Sequence, residues 1–228
     1  MSNSDLSRRI RSFVIRAGRM TDRQKSGWDV GFPKHGFTLS DTRFDWDKSF
    51  DMTGPRVLEI GFGMGDSLIA MAEQNPQSRY LGIEVHRPGV GKVLAEVEQL
   101  GITNVKVFAD DAVSVLEAII PPGSVDLMQI FFPDPWHKKR HHKRRLVQPE
   151  FVGLAVSRLS TGGRLHLATD WQPYAEHMMD VLSSTETLKN LAGDRQFSPR
   201  PESRPETKFE RRGHRLGHGV WDLLFTKS

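Results

Sequence analysis

The stretch that decides the fold is RVLEIGFGMGDSLIA, residues 56–70. Its first five residues form a short apolar run that is typical of a buried strand. Three glycines follow at alternate positions, Gly61, Gly63 and Gly65, and a helical pattern continues from Asp66 to Gln74. The stretch therefore predicts a strand, a tight turn and a helix, the unit from which α/β folds are built.

The same alternation continues toward the C-terminus. Apolar runs predict strands at residues 80–84, 105–109, 125–132 and 163–169, and helix-period segments predict helices from 88 onward and at 111–120, 149–159 and 174–182. Strands that alternate with helices indicate a parallel sheet covered on both faces. A last strand at 219–225 follows a proline-rich loop over 194–215 and suits an antiparallel edge or a hairpin. We predict an α/β domain with a doubly wound, mostly parallel sheet.

The first 45 residues differ from the rest, because they are polar and show little periodicity. We expect residues 1–45 to form a flexible, basic N-terminal extension and residues 46–228 to form a single domain. The segment contains several aromatic residues that are candidates for packing on the domain: Trp28, Phe32, Phe37 and Phe44.

Composition excludes several classes of protein. Hydrophobic residues make up 37% of the 228 residues, which argues against wholesale disorder. The chain has no cysteine, which excludes disulfides, thiolate catalysis and thiolate-bound zinc. No apolar run approaches the roughly 20 residues that span a bilayer, and the first residues lack the apolar core of a signal peptide. We therefore expect a soluble, cytoplasmic protein that does not contact membranes.

Acidic residues at three predicted strand ends point to the ligand. Glu59 precedes the glycine turn, Glu84 ends the second strand, and Asp110 and Asp111 end the third. In doubly wound folds, ligands bind beyond the carboxyl ends of the strands. A dinucleotide fingerprint needs a third glycine at position 66, where Asp66 would instead repel a pyrophosphate.

Glu84 is placed to accept both hydroxyls of an adenosine ribose, and Asp110 or Asp111 to accept from an adenine amino group. Together these acids suit a cofactor that carries a positive charge but no phosphate. S-adenosylmethionine fits that description better than NAD does. Two alternatives stay open from the residues alone. In the first, the glycines only shape a strand-to-helix turn, and in the second, Asp111 caps the following helix.

The segment FFPDPWHKKRHHKRR, residues 131–145, carries the second chemical signal. Prolines on both sides hold Asp134 stiffly at the mouth of the sheet. Trp136 offers a face for base stacking, or alternatively covers the core. Residues 138–145 contain six Lys or Arg and two His, a run that suits phosphates. We expect no metal site, because the cations around His137 and His141 oppose one.

At this point the sequence resembles the bacterial tRNA (guanine-N7)-methyltransferase family. The resemblance covers roughly residues 55–225 and is carried by several motifs in the family's order: LEIGFGMGDSL (58–68), GIEVHRPGVG (82–91), PDPW with KKRHHKRR (133–145), ATDW (168–171) and TKFERRGHRLGHGVWDLLF (207–225). It implies a Rossmann-like class I methyltransferase with a seven-stranded sheet. It also implies transfer of a methyl group from S-adenosylmethionine to N7 of guanine 46, in the variable loop of tRNA.

The resemblance assigns site residues by position. Asp134 is the expected catalytic residue, and the expected cofactor site consists of Glu59, Gly61, Gly63, Glu84, Asp111 and Asp134. The expected substrate contacts are Lys138, Asp170, Thr207, Lys208, Phe209 and Glu210. The basic run supplies the expected RNA contacts, Arg140, His141, His142, Lys143, Arg144 and Arg145. Monomer and homodimer both remain open.

Guanine N7 already carries a free lone pair, so the reaction needs alignment more than a strong base. A carboxylate beside the guanine would stabilise the charge that develops on the ring. Asp134, Asp170 and Glu210 are alternatives for that contact. The structural alternatives are that Asp170 caps the next helix and that Glu210 pairs with Arg211 or Arg212. Two rival functions are a methyltransferase acting on an exocyclic amine of a nucleic acid and a non-catalytic RNA-binding module.

Overall fold

The computed structural model describes residues 12–13, 18–40, 44–206, 210 and 219–228. Within these ranges the helices are α1 (Asp22–His35), α2 (Trp46–Ser49), α3 (Asp66–Gln74), α4 (Arg87–Leu100), α5 (Ala112–Ala118), α6 (Pro149–Arg158) and α7 (Gln172–Ser183). The strands are β1 (Gly36–Phe37), β2 (Arg56–Ile60), β3 (Arg79–Ile83), β4 (Val105–Phe108), β5 (Val125–Phe131), β6 (Leu159–Thr169), β7 (Leu188–Asn190) and β8 (Trp221–Lys227). A 3₁₀ helix covers Lys139–Arg144.

The strands form a mostly parallel sheet in the order β1-β4-β3-β2-β5-β6-β8-β7. Only β8 runs antiparallel to its neighbours, β6 and β7. The predicted doubly wound sheet is confirmed, and its last strand is antiparallel as predicted, but β8 lies between β6 and β7 rather than at the edge. The described residues contain eight strands, which are the six that the sequence pattern predicted and the short strands β1 and β7, whereas the family resemblance implied seven.

The core lies on both faces of the sheet because neighbouring residues of a buried strand point to opposite sides. Leu58 faces a cluster with Leu116 and Phe151, whereas Val57 faces a cluster with Leu68. Burial of each such side chain contributes about 1.5–3 kcal/mol. Helices on both faces therefore fix the strands, and the carboxyl ends of β2 to β6 share one edge.

The structure differs from the predicted N-terminal extension. Helix α1 begins at a capping box formed by Thr21 and Gln24, and it ends next to strand β1. Phe37 of β1 stacks on Phe108, with ring centroids 5.3 Å apart. At least residues 22–37 are thus folded onto the domain, because their aromatic and small residues fit its surface.

Candidate functional site

The glycine turn leaves an open space at the end of β2. Gly61, Gly63 and Gly65 all have positive φ angles, 75°, 57° and 75°. A Cβ atom at Gly65 would lie 2.0 Å from Cγ2 of Val93, so this glycine is needed for packing against α4. Nothing lies within 4 Å of a Cβ built at Gly61 or Gly63. Their backbone is thus exposed toward a space where a ligand can approach closely.

Glu84 holds this turn in place. Its Oε2 atom accepts from the N–H of Gly63 at 2.7 Å, and its Oε1 atom accepts from the N–H groups of Val85 and His86 at 2.7 and 2.8 Å. The carboxylate therefore ties the end of β3 to the turn after β2. We expected Glu84 to accept the ribose hydroxyls, and in the structure its oxygens already accept three backbone N–H groups.

Glu59 lies beneath the turn, with only 2% of its surface exposed. Its Oε1 atom accepts from the hydroxyl of Ser67 at 2.9 Å, and Oε2 has no hydrogen-bond partner among the described residues. Burial raises the pKa of Glu59 to about 7, and the nearby charge of Glu84 adds to this effect. The side chain therefore supports the start of α3 from below.

The third strand end brings two acids to the same edge. Asp111 caps α5, since its Oδ2 atom accepts from the backbone N–H and the hydroxyl of Ser114 at 3.1 and 2.9 Å. Asp110 accepts from the N–H of Leu39 at 2.9 Å. The helix-cap alternative for Asp111 is thus realised, and the cap leaves this carboxylate on the wall of the cavities.

Two cavities meet at this edge of the sheet. The smaller, about 230 Å³, is lined by Gly61, Glu84, Asp111 and Asp134 among others. The larger, about 1220 Å³, extends from Asp111 toward α1 and α6. The smaller cavity joins four of the six predicted cofactor residues, whereas Glu59 and Gly63 line neither cavity. Glu59 is buried, and Gly63 belongs to the glycine turn that borders this space.

The Asp134 loop, residues 132–136, has an unusual backbone. Phe132 and Trp136 have positive φ angles of 51° and 46°, although neither is glycine. Such conformations cost about 1–3 kcal/mol each and concentrate at functional sites. Asp134 lies between them, is exposed, and makes no hydrogen bond or ion pair with the residues that the structure describes. The loop thus presents a carboxylate that is not used by the fold.

Asp170 is the second carboxylate of this kind. It follows β6, which pairs in parallel with β5 so that Phe131 lies opposite Ala168. The N-cap of α7 is Trp171, without a side-chain cap, so Asp170 does not cap that helix. Its carboxylate is exposed and has no partner in the described part of the chain. Two neighbouring strands are therefore each followed by an acid that has no partner among the described residues.

Trp136 is not the exposed aromatic face that the sequence suggested. Its Nε1 atom donates to the carbonyl of Ser12 at 3.0 Å, and the guanidinium of Arg144 lies 4.1 Å from its ring centroid. The exposed tryptophan near the two acids is Trp171, with 38% of its surface accessible. The exposed ring of His137 contacts Trp171 edge to face, with centroids 4.4 Å apart. Sequence reasoning missed Trp171, although it follows Asp170 directly.

The basic run divides into exposed and buried members. Lys138, Lys139, Arg140 and Lys143 are exposed, and His141, His142 and Arg144 are half-buried. Partial desolvation lowers the pKa of His141, and the neighbouring cations lower it further. The exposed cations of the 3₁₀ helix therefore form a positive surface beside the Asp134 loop.

Arg145 lies differently from the predicted RNA contact. It is only 4% exposed, its Nε atom donates to the carbonyl of Pro135 at 2.9 Å, and its guanidinium lies 4.8 Å from the ring centroid of Tyr174. These contacts support the Asp134 loop from inside. We therefore reassign Arg145 from phosphate binding to support of that loop.

Glu210 also differs from its predicted role as a substrate contact. Only 2% of its surface is exposed, and its two carboxylate oxygens accept from Nη1 and Nη2 of Arg204, each at 2.6 Å. The predicted alternative, a pair of Glu210 with Arg211 or Arg212, lies outside the described residues. Arg204 was missed because it lies in a proline-rich segment that resembles an open loop. Thr207, Lys208 and Phe209 lie outside the described residues.

The described residues contain no group of three or more His, Asp or Glu side chains that is placed to hold a metal ion. None of the helices over these ranges is long and apolar enough to cross a membrane.

Solved structures share this fold. The 16S rRNA methyltransferase KamB is similar with a TM-score of 0.59 and 18% identity, covering 84% of this chain and 98% of that chain. The aminoglycoside resistance methyltransferase NpmB1 is similar with a TM-score of 0.53 and 14% identity, covering 78% and 89%. At these identities the likeness concerns the fold alone, which is that of Rossmann-like methyltransferases.

Sequence relatives are much nearer. The tRNA (guanine-N(7)-)-methyltransferases of Pseudomonas syringae pv. syringae and Alcanivorax borkumensis are 56% and 54% identical over 220 residues. These alignments cover 96% of this chain and 90% and 92% of the relatives. A family model described as "Putative methyltransferase" matches residues 53–223, the part that contains the glycine turn and both unpaired acids. The chain belongs to the tRNA (guanine-N7)-methyltransferase family.

Proposed function

We propose that this protein transfers a methyl group from S-adenosylmethionine to N7 of a guanine in tRNA, and that the guanine is number 46 in the variable loop. One observation supports this most directly. Two exposed carboxylates without partners among the described residues, Asp134 and Asp170, follow neighbouring strands beside the open glycine turn. An exposed basic 3₁₀ helix lies next to them. The relatives' names supply the same substrate and the same ring nitrogen.

The residues at the glycine turn fit the cofactor. Gly61 and Gly63 leave free space where a side chain would stand, and the acids at this edge suit a cofactor that carries positive charge. Asp111 lies on the cavity wall, where a carboxylate can accept from an adenine amino group. Bound S-adenosylmethionine supplies an electrophilic methyl group on a positively charged sulfur. The protein's task is to hold that methyl group in line with the nucleophile.

Asp134 carries the proposed catalytic role. Positive charge develops on the guanine ring as N7 is alkylated, and a fixed carboxylate next to the ring stabilises it. A carboxylate can also accept from guanine N1–H and the exocyclic amino group, which adenine does not present in that arrangement. Because N7 has a free lone pair, neither Asp134 nor Asp170 has to remove a proton before attack.

Asp170, Trp171 and Lys138 complete the proposed guanine site. Asp170 is the alternative acceptor for the guanine edge, and its neighbour Trp171 offers an exposed ring for stacking, worth about 1–3 kcal/mol per base. Lys138 is exposed at the start of the 3₁₀ helix, where it can contact a phosphate. Lys139, Arg140 and Lys143 extend this positive surface for the tRNA backbone.

The test uses unmodified tRNA and cofactor with a labelled methyl group. Wild-type protein is expected to label one guanine, which mild reduction followed by strand cleavage identifies as N7-methylguanine. Asp134→Ala is expected to abolish transfer while the circular dichroism spectrum is unchanged. Asp51→Asn, at the opposite end of the sheet, is the control for loss of an exposed acid and should keep full activity.

Label on an exocyclic amine would instead indicate the rival class of methyltransferase. Tight tRNA binding without cofactor affinity would indicate an RNA-binding module. Label at N7 of a guanine outside the variable loop would leave the chemistry intact and overturn only the assigned position. Near-normal transfer by Asp134→Ala would remove Asp134 from its role.

A further inference from the structure

Four buried polar side chains form a continuous network behind the Asp134 loop. His166 Nε2 lies 2.7 Å from Asp222 Oδ1, and Arg204 donates to the same oxygen from Nε at 2.8 Å. Arg204 Nη2 also donates to Asp222 Oδ2 at 2.9 Å. The Nη1 and Nη2 atoms of Arg204, which form the fork of its guanidinium, donate to the two carboxylate oxygens of Glu210. Each of the four residues is at most 2% exposed. The network joins β6, β8 and the segment that contains Arg204 and Glu210.

The network touches the residues that lead into the Asp134 loop. The guanidinium of Arg204 lies 5.7 Å from the ring centroids of both Phe131 and Phe132. The ring of His166 contacts Phe131 edge to face at 4.9 Å. Phe131 ends β5, and Phe132 has a positive φ angle. Arg204 therefore packs against the two residues that lead the chain from β5 into the turn that positions Asp134.

Arginine is the side chain that this arrangement needs. Three nitrogens of Arg204 make four hydrogen bonds to two carboxylates while the flat guanidinium faces two aromatic rings. A lysine has one nitrogen and cannot reproduce that fork. Burial opposes the charge of Arg204, but its hydrogen bonds to Glu210 and Asp222 outweigh this and raise its pKa. Burial likewise opposes the charge of Asp222, but hydrogen bonds from His166 and Arg204 lower its pKa.

We propose that Arg204 is a positioning residue of the methyl-transfer site, which holds the Asp134 loop and Glu210 against β8 without touching the reacting atoms. This inference depends on the function proposed above only where its test measures methyl transfer. It assigns Glu210 to the support of the site rather than to contact with guanine.

The test compares two buried arginines that undergo the same change. Arg204→Lys keeps the positive charge and loses the fork. Arg79→Lys is the matched control, because Arg79 is 5% exposed and donates to Gly54 and Asp47 at the amino end of β3. For each variant the folded fraction, cofactor Kd, kcat, KM for tRNA and amide hydrogen exchange of residues 131–136 are measured.

Arg204→Lys is expected to lower kcat per folded molecule at least tenfold, with cofactor Kd within about twofold. It should also accelerate exchange of the Phe132 amide, which donates to the carbonyl of Ala168, and leave β2 unchanged. Arg79→Lys should change neither. If Arg204→Lys does not fold, Glu210→Gln provides the second variant, with faster exchange at 131–136 and a smaller fall in kcat expected.

A kcat for Arg204→Lys within twofold of wild type, with unchanged exchange at 131–136, would overturn the proposal. So would equal losses in Arg79→Lys, since these would show a general cost of altering a buried arginine. If wild-type protein methylates no tRNA, the proposed function fails, and the exchange of residues 131–136 still decides whether Arg204 holds the loop.

Discussion

The substitution Gly63→Ala, compared with Gly123→Ala, allows an effect on cofactor binding to be measured separately from an effect on fold stability. Gly63 has a φ angle of 57°, and nothing lies within 4 Å of a Cβ atom built there. Gly123 has nearly the same geometry, with a φ angle of 67° and an equally open surrounding, but it lies in the turn before β5. Both substitutions therefore impose the same backbone strain, and only Gly63→Ala adds a methyl group to the glycine turn at which we propose that the cofactor binds.

The expected magnitudes follow from these contacts. A left-handed backbone costs a residue with a Cβ atom about 1–2 kcal/mol, which lowers the melting temperature of a domain of this size by about 2–8 °C. Gly63→Ala and Gly123→Ala should share this loss. A methyl group inserted into a packed contact costs about 1–3 kcal/mol, so the cofactor Kd of Gly63→Ala should rise about 5- to 150-fold.

The assay is calorimetric titration of each variant with S-adenosylmethionine, together with thermal denaturation without it. Gly123→Ala should bind the cofactor like wild type despite its lower melting temperature. A Kd for Gly63→Ala within twofold of that of Gly123→Ala would refute the position of the cofactor at this turn. Equal weakening in both variants would show that affinity follows stability rather than the local space.

Three further predictions concern stability and RNA binding. Burial raises the pKa of Glu59 from 4.5 to about 7, so the folded state binds more protons than the unfolded state between these two pH values. The free energy of unfolding therefore falls as the pH rises through this range. The fall is roughly 3 kcal/mol, and urea denaturation at pH 5 and pH 8 should show it in wild type but not in Glu59→Gln. Gly27→Ala should lower the free energy of unfolding by about 1–3 kcal/mol, because its Cβ atom would lie 2.2 Å from a carbonyl oxygen of α4. The control Gly153→Ala should leave the melting temperature unchanged, because nothing lies within 4 Å of a Cβ atom built there. The double change Arg140→Gln with Lys143→Gln should reduce the slope of log Kd for tRNA against log salt by about 2; an unchanged slope would place the phosphates elsewhere.

Most of the fold was predictable because its strands and helices are long and strongly patterned. The apolar Val57, Leu58 and Ile60 of β2, followed by glycines and a helix, leave few alternatives to a parallel α/β sheet. The short strands β1 and β7, of two and three residues, carry no periodicity that a sequence pattern can detect. Helix α1 was missed because it is held by tertiary contacts, in which Gly27 fits closely against α4.

Sequence reasoning could name candidate site residues but could not assign their roles. A sequence shows that acids follow the strands, but it does not show which acids the fold itself uses. Glu84 is occupied by three backbone N–H groups and Glu210 by the fork of Arg204. Both partners are set by chain segments that come together only in three dimensions. The same applies to Arg145, which the charge run groups with exposed cations although it is buried under the Asp134 loop.

The distinction between used and unused acids bears on the chemistry. An acid whose oxygens already accept hydrogen bonds from the fold is fixed in place, and it offers few free lone pairs to a substrate. Asp134 and Asp170 retain all of theirs within the described structure, and they lie at the edge where parallel strands end. A nucleophile that needs no deprotonation requires such acceptors for orientation and charge stabilisation rather than for proton removal. The division of acids into supports and free acceptors is therefore what alkylation of a ring nitrogen demands.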